Sequence, residues 1–244
     1  MNMETALLFR DDAYLATCEA KVTGINERGG ILLDQTIFYA TGGGQPGDTG
    51  NLERKNGDIV EIATTVFGSS KSEIVHVPGE NAPVPEIGET VICHINWEKR
   101  FGIMRIHTAL HLLSVVVPHP VSGGQIGHEA GRLDFDIPES SLDKFDLTEK
   151  LNALISGNHL IGSEWITDQE LADNPTLVKT MSVKPPVGSG RVRLIRIGDV
   201  DLQPCGGTHV RETQEIGEVH IRKIEKKGKQ NRRVRLSLGP APTN

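Results

Sequence analysis

The sequence predicts an α+β protein in which a small N-terminal β-barrel, residues 1–95, precedes an α+β domain, residues 96–244. Short apolar and β-branched runs separated by turn signals fill the first part. A stretch with helical periodicity begins at Trp97, and hairpin patterns alternate with a second amphipathic helix after it. Helices mixed with hairpins in this order are typical of the α+β class.

The first part is predicted to contain only strands. Asn56-Gly57 is a strong two-residue hairpin signal, and residues 26–29 form another turn. A glycine-dense loop covers residues 38–48. Many short strands with turn signals indicate a small barrel. The predicted strands are residues 17–25, 30–34, 51–54, 59–67, 74–77 and 90–96.

The long helix is predicted over residues 97–117, because apolar residues recur there at three- and four-residue steps. Asn96 can cap its start, and Pro118 with Pro120 ends it. The later elements predicted are a strand-turn-strand at 123–136, a helix at 146–155, a strand at 159–167, a short helix at 168–173 capped by Asp168, a strand at 191–197, and a hairpin of 217–226 and 232–238.

Two pairs of residues predict a metal site. His107 and His111 are four residues apart, so they lie on the same face of the helix. Cys205 and His209 form a second pair far along the chain. Imidazole nitrogen and thiolate sulfur are the preferred ligands of zinc, so the sequence predicts one Zn²⁺ per chain. The glutamate of the H-E-x-x-H metalloprotease motif is missing, which disfavours peptidase chemistry.

Composition limits the remaining possibilities. Of 244 residues 37% are hydrophobic and 24% charged, as in ordinary globular proteins. No apolar run is long enough for a membrane-spanning helix, and the N-terminus lacks the features of a secretion signal. The three cysteines, Cys18, Cys93 and Cys205, do not form a disulfide framework. We therefore expect a cytoplasmic protein.

The charge is unevenly distributed. The formal net charge is −6, but residues 222–235 hold eight basic residues and a single acid, Glu225, which leaves the rest of the chain near −13. A basic patch of this kind can contact nucleic-acid phosphates while the remaining surface stays acidic. A solvated lysine-rich hairpin is the alternative interpretation.

Three motifs carry a resemblance to a known family: FYATGGGQPGDTG from Phe38, RIHTALHLL from Arg105 and LQPCGGTHV from Leu202. Together they resemble the editing domain of alanyl-tRNA synthetases and the free-standing alanyl-tRNA editing proteins of the AlaX type, longer class. The editing domain of threonyl-tRNA synthetases shares the last two motifs. The resemblance covers nearly the whole chain. It implies the α+β fold of those domains and a trans-acting deacylase of mischarged tRNA(Ala), with Ser-tRNA(Ala) as the first candidate substrate and Gly-tRNA(Ala) as the second.

The resemblance also implies roles for particular residues. The zinc ligands would be His107, His111, Cys205 and His209. The glycine-rich loop would lie beside the aminoacyl pocket. Gln45 is our first candidate to bind a serine hydroxyl, because a polar side chain after three glycines has few structural reasons to be there. The candidate substrate-binding residues are Gly43, Gly44, Gln45, Thr108, Ser122 and Gln125, with Thr36 as a further hydroxyl partner. Apart from the resemblance, the charge of the C-terminal hairpin predicts that it contacts the acceptor end of tRNA through Lys226, Lys227, Lys229, Arg232 and Arg233.

Three questions stay open at the level of sequence. A zinc ion with three protein ligands can activate water, whereas a site closed by four is structural, so the role of His209 decides between catalysis and pocket shaping. Leu110 replaces a threonine common in the synthetases' own editing domains, which leaves serine or glycine preference undecided. The alternatives to a deacylase are a non-catalytic zinc-stabilised tRNA-binding module and a zinc hydrolase of small esters or amides.

Overall fold

A computed structural model describes residues 4–137, 142–181 and 190–242. The chain divides into two compact units, one ending at Phe101 and the other beginning at Gly102, so the division falls within the long helix. The first unit contains a closed six-stranded barrel, and the second contains two antiparallel sheets with helices. The predicted α+β class with an N-terminal barrel is therefore confirmed.

The barrel is closed by antiparallel pairing around its whole circumference. Its strands follow the order β2-β3-β7-β6-β5-β8, and a short parallel pair, β1 with β4, was not predicted. Alternate side chains such as Val22, Leu52 and Ile62 fill the interior. The strands are β1 (Ala6–Leu7), β2 (Thr17–Ile25), β3 (Ile31–Leu33), β4 (Gln35–Thr36), β5 (Gly50–Arg54), β6 (Ile59–Phe67), β7 (Ile74–Pro78) and β8 (Thr90–Ile95).

A buried ion pair joins the glycine-dense loop to the end of the first unit. The fully buried guanidinium of Arg100 pairs with the carboxylate of Asp48. Arg100 also donates to the carbonyl oxygens of Ala13, at 2.9 Å, and Ile37, at 2.6 Å. Asp48 accepts the Tyr39 N–H at 2.6 Å. Loss of either charge would leave the other buried without a partner, which is strongly destabilising.

The second unit places helices against two antiparallel sheets, ordered β14-β15-β10-β9 and β11-β12-β13. Asn152 joins helix α2 to the first strand of the larger sheet through two hydrogen bonds with the Val219 backbone. The elements are α1 (Trp97–Val116), β9 (Val121–Ile126), β10 (Ala130–Asp136), α2 (Lys144–Ser156), β11 (Ile161–Thr167), α3 (Asp168–Asp173), β12 (Arg191–Ile197), β13 (Asp201–Pro204), β14 (Val219–Lys226) and β15 (Asn231–Leu238). No helix within the described residues is long and apolar enough to cross a membrane.

Capping residues explain which predicted helix boundaries agree with the structure and which do not. The side chain of Asn96 accepts a first-turn N–H of α1 at 3.0 Å, so that predicted cap is confirmed. Helix α2 begins before the predicted residue 146, because the Asp143 carboxylate caps it. The predicted cap of α3 was wrong: Thr167 caps this helix, in a capping box with Glu170, and Asp168 is its first residue.

Candidate metal centre

Helix α1 positions the first pair of candidate ligands. His107 and His111 are one turn apart, and both are buried. The same helix buries apolar residues such as Met104, Ile106 and Leu113, which fix its orientation in the second unit. The two imidazoles are therefore held on a packed helix, whose backbone leaves them little freedom to separate.

The second pair follows strand β13. The Cys205 N–H donates to the Arg193 carbonyl at 3.1 Å, which continues the pairing of β12 with β13 by one residue. The Arg193 guanidinium in turn donates to the carbonyl oxygens of Cys205, at 3.2 Å, and Gly207, at 2.9 Å. These bonds hold the segment that brings Cys205 and His209 back to helix α1.

The four predicted ligands converge. The Cys205 sulfur lies 3.4 Å from Nε2 of His107 and 3.3 Å from Nε2 of His209. All four ligand atoms, including one from His111, lie within 4.8 Å of one another. A tetrahedral zinc site with ordinary bond lengths has ligand–ligand separations of about 3.3–3.6 Å. The donor set and its spacing can thus hold a metal ion and are compatible with zinc.

Electrostatics favour the ligand form of the cysteine. Burial raises the pKa of the Cys205 thiol, but the charges of His107 and His209 outweigh it and hold that pKa well below its usual value. Burial, together with the charge of His107, lowers the pKa of His209 to about 3. Burial also opposes charge on His111, yet hydrogen bonds to Asp201 and Cys205 raise its pKa to about 9. A lowered pKa of the thiol favours the thiolate, the state in which cysteine binds metal ions.

Two further residues orient the imidazoles. Nδ1–H of His111 donates to the Asp201 carboxylate at 3.2 Å. The Thr108 hydroxyl donates to the Met104 carbonyl at 2.8 Å, so it accepts from Nδ1–H of His209 at 3.1 Å. In the neutral imidazole that binds a metal ion, each bond fixes the tautomer that leaves Nε2 without a proton.

Asp201 was not predicted from the sequence, although a signal for it existed. Strand β13 alternates, so Asp201, Gln203 and Cys205 point to one face. Gln203 donates to the Asp201 carboxylate at 2.6 Å, and Lys179 pairs with its other oxygen. Asp201 lies four residues before Cys205, on the same strand face, and carboxylates are typical partners of metal-bound histidines.

The predicted substrate loop lies in the barrel unit. Gly42 and Gln45 exchange backbone hydrogen bonds of 3.0 Å around Gly43 and Gly44, whose φ angles are +59° and +84°. Two consecutive positive φ angles are the reason for glycine at both central positions of this tight turn. Gln45 itself is only 1% exposed. Thr36, the further candidate, is bonded to His76 at 2.8 Å.

Of the other substrate-binding candidates, the structure brings Thr108 into the ligand cluster. Ser122 and Gln125 lie on strand β9. The Ser122 hydroxyl donates to the Asp134 carbonyl at 3.1 Å and accepts from the Asn231 amide at 2.7 Å. Gln125 is exposed, and its oxygen accepts from Arg132 at 3.3 Å.

The basic hairpin divides into exposed and paired cations. Lys226, Lys227 and Lys229 are exposed at its turn. Arg232 donates to the Asn231 carbonyl at 3.2 Å. Arg233 makes a bidentate pair with Asp134, at 2.7 and 2.8 Å, across the neighbouring strand.

A cavity of about 220 Å³ on this sheet is lined by two arginines of the basic hairpin, Arg222 and Arg235, and by a third, Arg132, from β10. Arg132 pairs with Asp134 at 2.6 Å, and Arg235 pairs with Glu225 at 2.6 Å. The sequence did not predict this grouping, because Arg132 belongs to a different hairpin and lies opposite Arg235 only through the β10–β15 register.

The comparisons with known proteins agree with this fold and cluster. The profile described as threonyl and alanyl tRNA synthetase second additional domain matches residues 192–235, which include Cys205 and His209. The profile of class II (A) tRNA synthetases matches residues 6–99. The fold, the cluster and these matches therefore define the class of this protein: it is an editing-domain protein of the alanyl- and threonyl-tRNA synthetase type.

The similarity to individual proteins identifies the family within this class. Two proteins named alanyl-tRNA editing protein AlaX-M are similar to this chain over nearly their whole length. The protein of Methanosarcina acetivorans is 33% identical, and the similarity covers 96% of this chain and 99% of the relative. The protein of Methanosarcina mazei is 34% identical, and the similarity covers 96% of each chain. Alanyl-tRNA editing protein AlaX-L of Pyrococcus horikoshii is 31% identical over 95% of this chain and 57% of the relative. The chain belongs to the alanyl-tRNA editing protein family of the AlaX type.

Proposed function

We propose that this protein is a trans-acting aminoacyl-tRNA deacylase that hydrolyses mischarged tRNA(Ala), with Ser-tRNA(Ala) as its main substrate and Gly-tRNA(Ala) as its second. Membership of the alanyl-tRNA editing family supports the class of substrate. The observation that carries the proposal is the convergence of three imidazoles and one thiolate within 4.8 Å.

In this proposal the cluster of His107, His111, Cys205 and His209 holds one zinc ion. When bound, zinc would supply a Lewis acid that polarises the ester carbonyl or acidifies a water molecule. Asp201 and Thr108 keep two of the imidazoles in the ligand tautomer. Of the four residues, the three histidines are buried and Cys205 is partly buried.

Discrimination against correctly charged Ala-tRNA(Ala) requires a contact to the serine hydroxyl. A site built to hydrogen-bond a substrate hydroxyl can reject the analogue that lacks it by roughly 10⁴–10⁵. We assign this contact to the amide of Gln45, and we assign close backbone approach to Gly43 and Gly44. Thr108, Ser122 and Gln125 are the further candidates.

The acceptor end of tRNA would contact the basic hairpin. Exposed lysines attract phosphates without geometric selectivity, whereas arginines can bind them through two parallel hydrogen bonds. The phosphate-binding residues in this proposal are Lys226, Lys227, Lys229, Arg232 and Arg233. The arginine-lined cavity on the same sheet extends this positive surface.

One experiment tests the assignment. The protein is incubated with Ser-tRNA(Ala), Gly-tRNA(Ala) and Ala-tRNA(Ala), as purified, after treatment with a chelator, and after zinc is restored. We expect rapid loss of Ser-tRNA(Ala), slower loss of Gly-tRNA(Ala), survival of Ala-tRNA(Ala), and activity that follows the zinc content. Binding of all three tRNAs without hydrolysis of any would replace the deacylase with the zinc-stabilised binding module.

The role of His209 needs its own variant. Its Nε2 is as close to the Cys205 sulfur as that of His107, which supports its inclusion among the ligands. We expect His209→Ala to lose zinc affinity and deacylation together. A His209→Ala protein that keeps both its zinc and its full rate would remove this residue from the site.

A further inference from the structure

The three-stranded sheet places Trp165, Arg193 and Cys205 in one row across its strands. Trp165 lies opposite Arg193 in the β11–β12 register. The backbone bond from the Cys205 N–H to the Arg193 carbonyl extends the row to Cys205. Directly opposed residues of antiparallel strands point to the same face, so these three side chains share one face of the sheet. It is the face turned to helix α1, because the Cys205 sulfur contacts His107.

On β12 and β13 this face is buried at one end and more open at the other, whereas along the edge strand β11 both Ser163 and Trp165 are exposed. In the neighbouring row, Ile195 is 2% and Gln203 is 7% exposed, and Gln203 donates to Ser114 of α1 at 3.3 Å. The row that ends at Cys205 lies two residues away along β11 and β12. In this row Trp165 is 48% exposed. On β12 and β13 the face therefore becomes more open at the row that holds a candidate metal ligand, where Arg193 and Cys205 are only partly buried. A large aromatic side chain, Trp165, lies at the exposed edge of that row.

The separation across the row fits one nucleoside. Neighbouring strands are about 4.7–4.9 Å apart, so two steps separate the backbones of Trp165 and Cys205 by about 10 Å. Arg193, between them, is held by the carbonyls of Cys205 and Gly207. In a 3′-terminal aminoacyl nucleoside, only the ribose separates the base from the ester. A base at Trp165 therefore brings its ester toward the cluster.

We propose that Trp165 is the stacking platform for the terminal nucleobase of the tRNA acceptor end. This inference rests on the proposed function and adds the residue that places the reacting nucleoside. Indole stacks on the face of any base and requires no hydrogen-bond pattern, which suits an acceptor end whose last nucleotide is the same in every tRNA. The platform acts on binding and leaves the chemistry of the cluster unchanged.

Fluorescence tests the contact directly, without removing the residue. The chain has two tryptophans, so a Trp97→Phe background leaves Trp165 as the only indole. The probes are a short RNA hairpin ending in CCA and the same hairpin ending in CC. We expect the CCA hairpin to quench the Trp165 emission and the CC hairpin to leave it unchanged. Equal quenching by both, or none by either, would overturn the proposal.

Kinetics give a second measurement. We expect Trp165→Ala to raise the KM for Ser-tRNA(Ala) roughly 5- to 100-fold, with kcat and zinc content unchanged, and Trp165→Phe to recover most of the loss. Phe145→Ala is the matched control, since Phe145 is 70% exposed on α2 and should not affect KM. An unchanged KM in Trp165→Ala, in a preparation whose parent hydrolyses Ser-tRNA(Ala), would refute the platform alone. A parent protein without hydrolysis would refute the proposed function, and the quenching experiment would still decide the platform.

Discussion

Replacement of Asp201 by asparagine tests whether a buried carboxylate controls metal binding. Asparagine has the same shape, so the packing of β13 is retained while the negative charge is lost. Asp201 has a fully buried carboxylate that accepts from His111 at 3.2 Å and from Gln203 at 2.6 Å, and it pairs with Lys179. In the variant, the His111 ring loses the charged partner that fixes its tautomer.

The expected loss of zinc affinity follows from what is typical when a metal ligand loses its hydrogen-bonding partner. Removing the hydrogen-bonding partner of a metal ligand weakens metal affinity about 10- to 100-fold, which corresponds to about 1.4–2.7 kcal/mol. The assay is a competition titration of zinc against a chromogenic chelator at neutral pH. Asp199→Asn is the matched control, because Asp199 is exposed and only two residues away. We expect its zinc affinity to equal that of the parent.

The orienting role assigned to Asp201 would be refuted by one specific pair of results. Asp201→Asn would bind zinc as tightly as the parent, while Cys205→Ala would lose it. That outcome would show that the four side chains bind metal without the orienting hydrogen bond.

Three other predictions follow from the barrel unit and the basic hairpin. Gln45→Ala should let Ser-tRNA(Ala) survive incubation while the zinc content, measured by mass spectrometry, is unchanged; rapid deacylation by this variant would contradict the assignment of Gln45. Arg100→Met should lower the free energy of unfolding by about 3–5 kcal/mol in urea denaturation, because it leaves a buried carboxylate unpaired; a loss below about 1 kcal/mol would contradict the burial of that pair. Replacing Lys226, Lys227 and Lys229 together by glutamine should weaken tRNA binding. The slope of the logarithm of the binding constant against the logarithm of the salt concentration should become shallower by about 0.7–0.9 per lost phosphate contact. An unchanged slope would contradict a role of the hairpin in tRNA binding.

The sequence predicted those elements whose signals are local. Asn96 and the spacing of apolar residues are sufficient to define the start of α1, and Asn56-Gly57 is sufficient for the β5–β6 hairpin. The four metal-site candidates were also identifiable, because each pair is close in sequence and has ligand chemistry. Their convergence on one site was predicted from ligand chemistry and from the family resemblance, and the structure brings the four ligand atoms within 4.8 Å of one another.

Long-range partners could not be predicted. The carboxylate of Asp48 and the guanidinium of Arg100 are 52 residues apart and meet only after the barrel closes. Arg233, chosen from a run of basic residues, pairs with Asp134 because the β10–β15 register places the two side by side. A sequence shows how many charged residues a segment contains. Which of those charges can bind a partner depends on which strands become neighbours in the fold.

The cluster also has a consequence for synthesis of the protein. Its histidine pair on α1 is translated well before its other half: 93 residues lie between His111 and Cys205. At ordinary rates of about 5–20 residues per second, the ribosome needs roughly 5 to 20 s to deliver the missing thiolate. A nascent chain therefore has no complete candidate ion-binding site until His209 has emerged, and any hydrolytic activity that requires the ion begins only after that point.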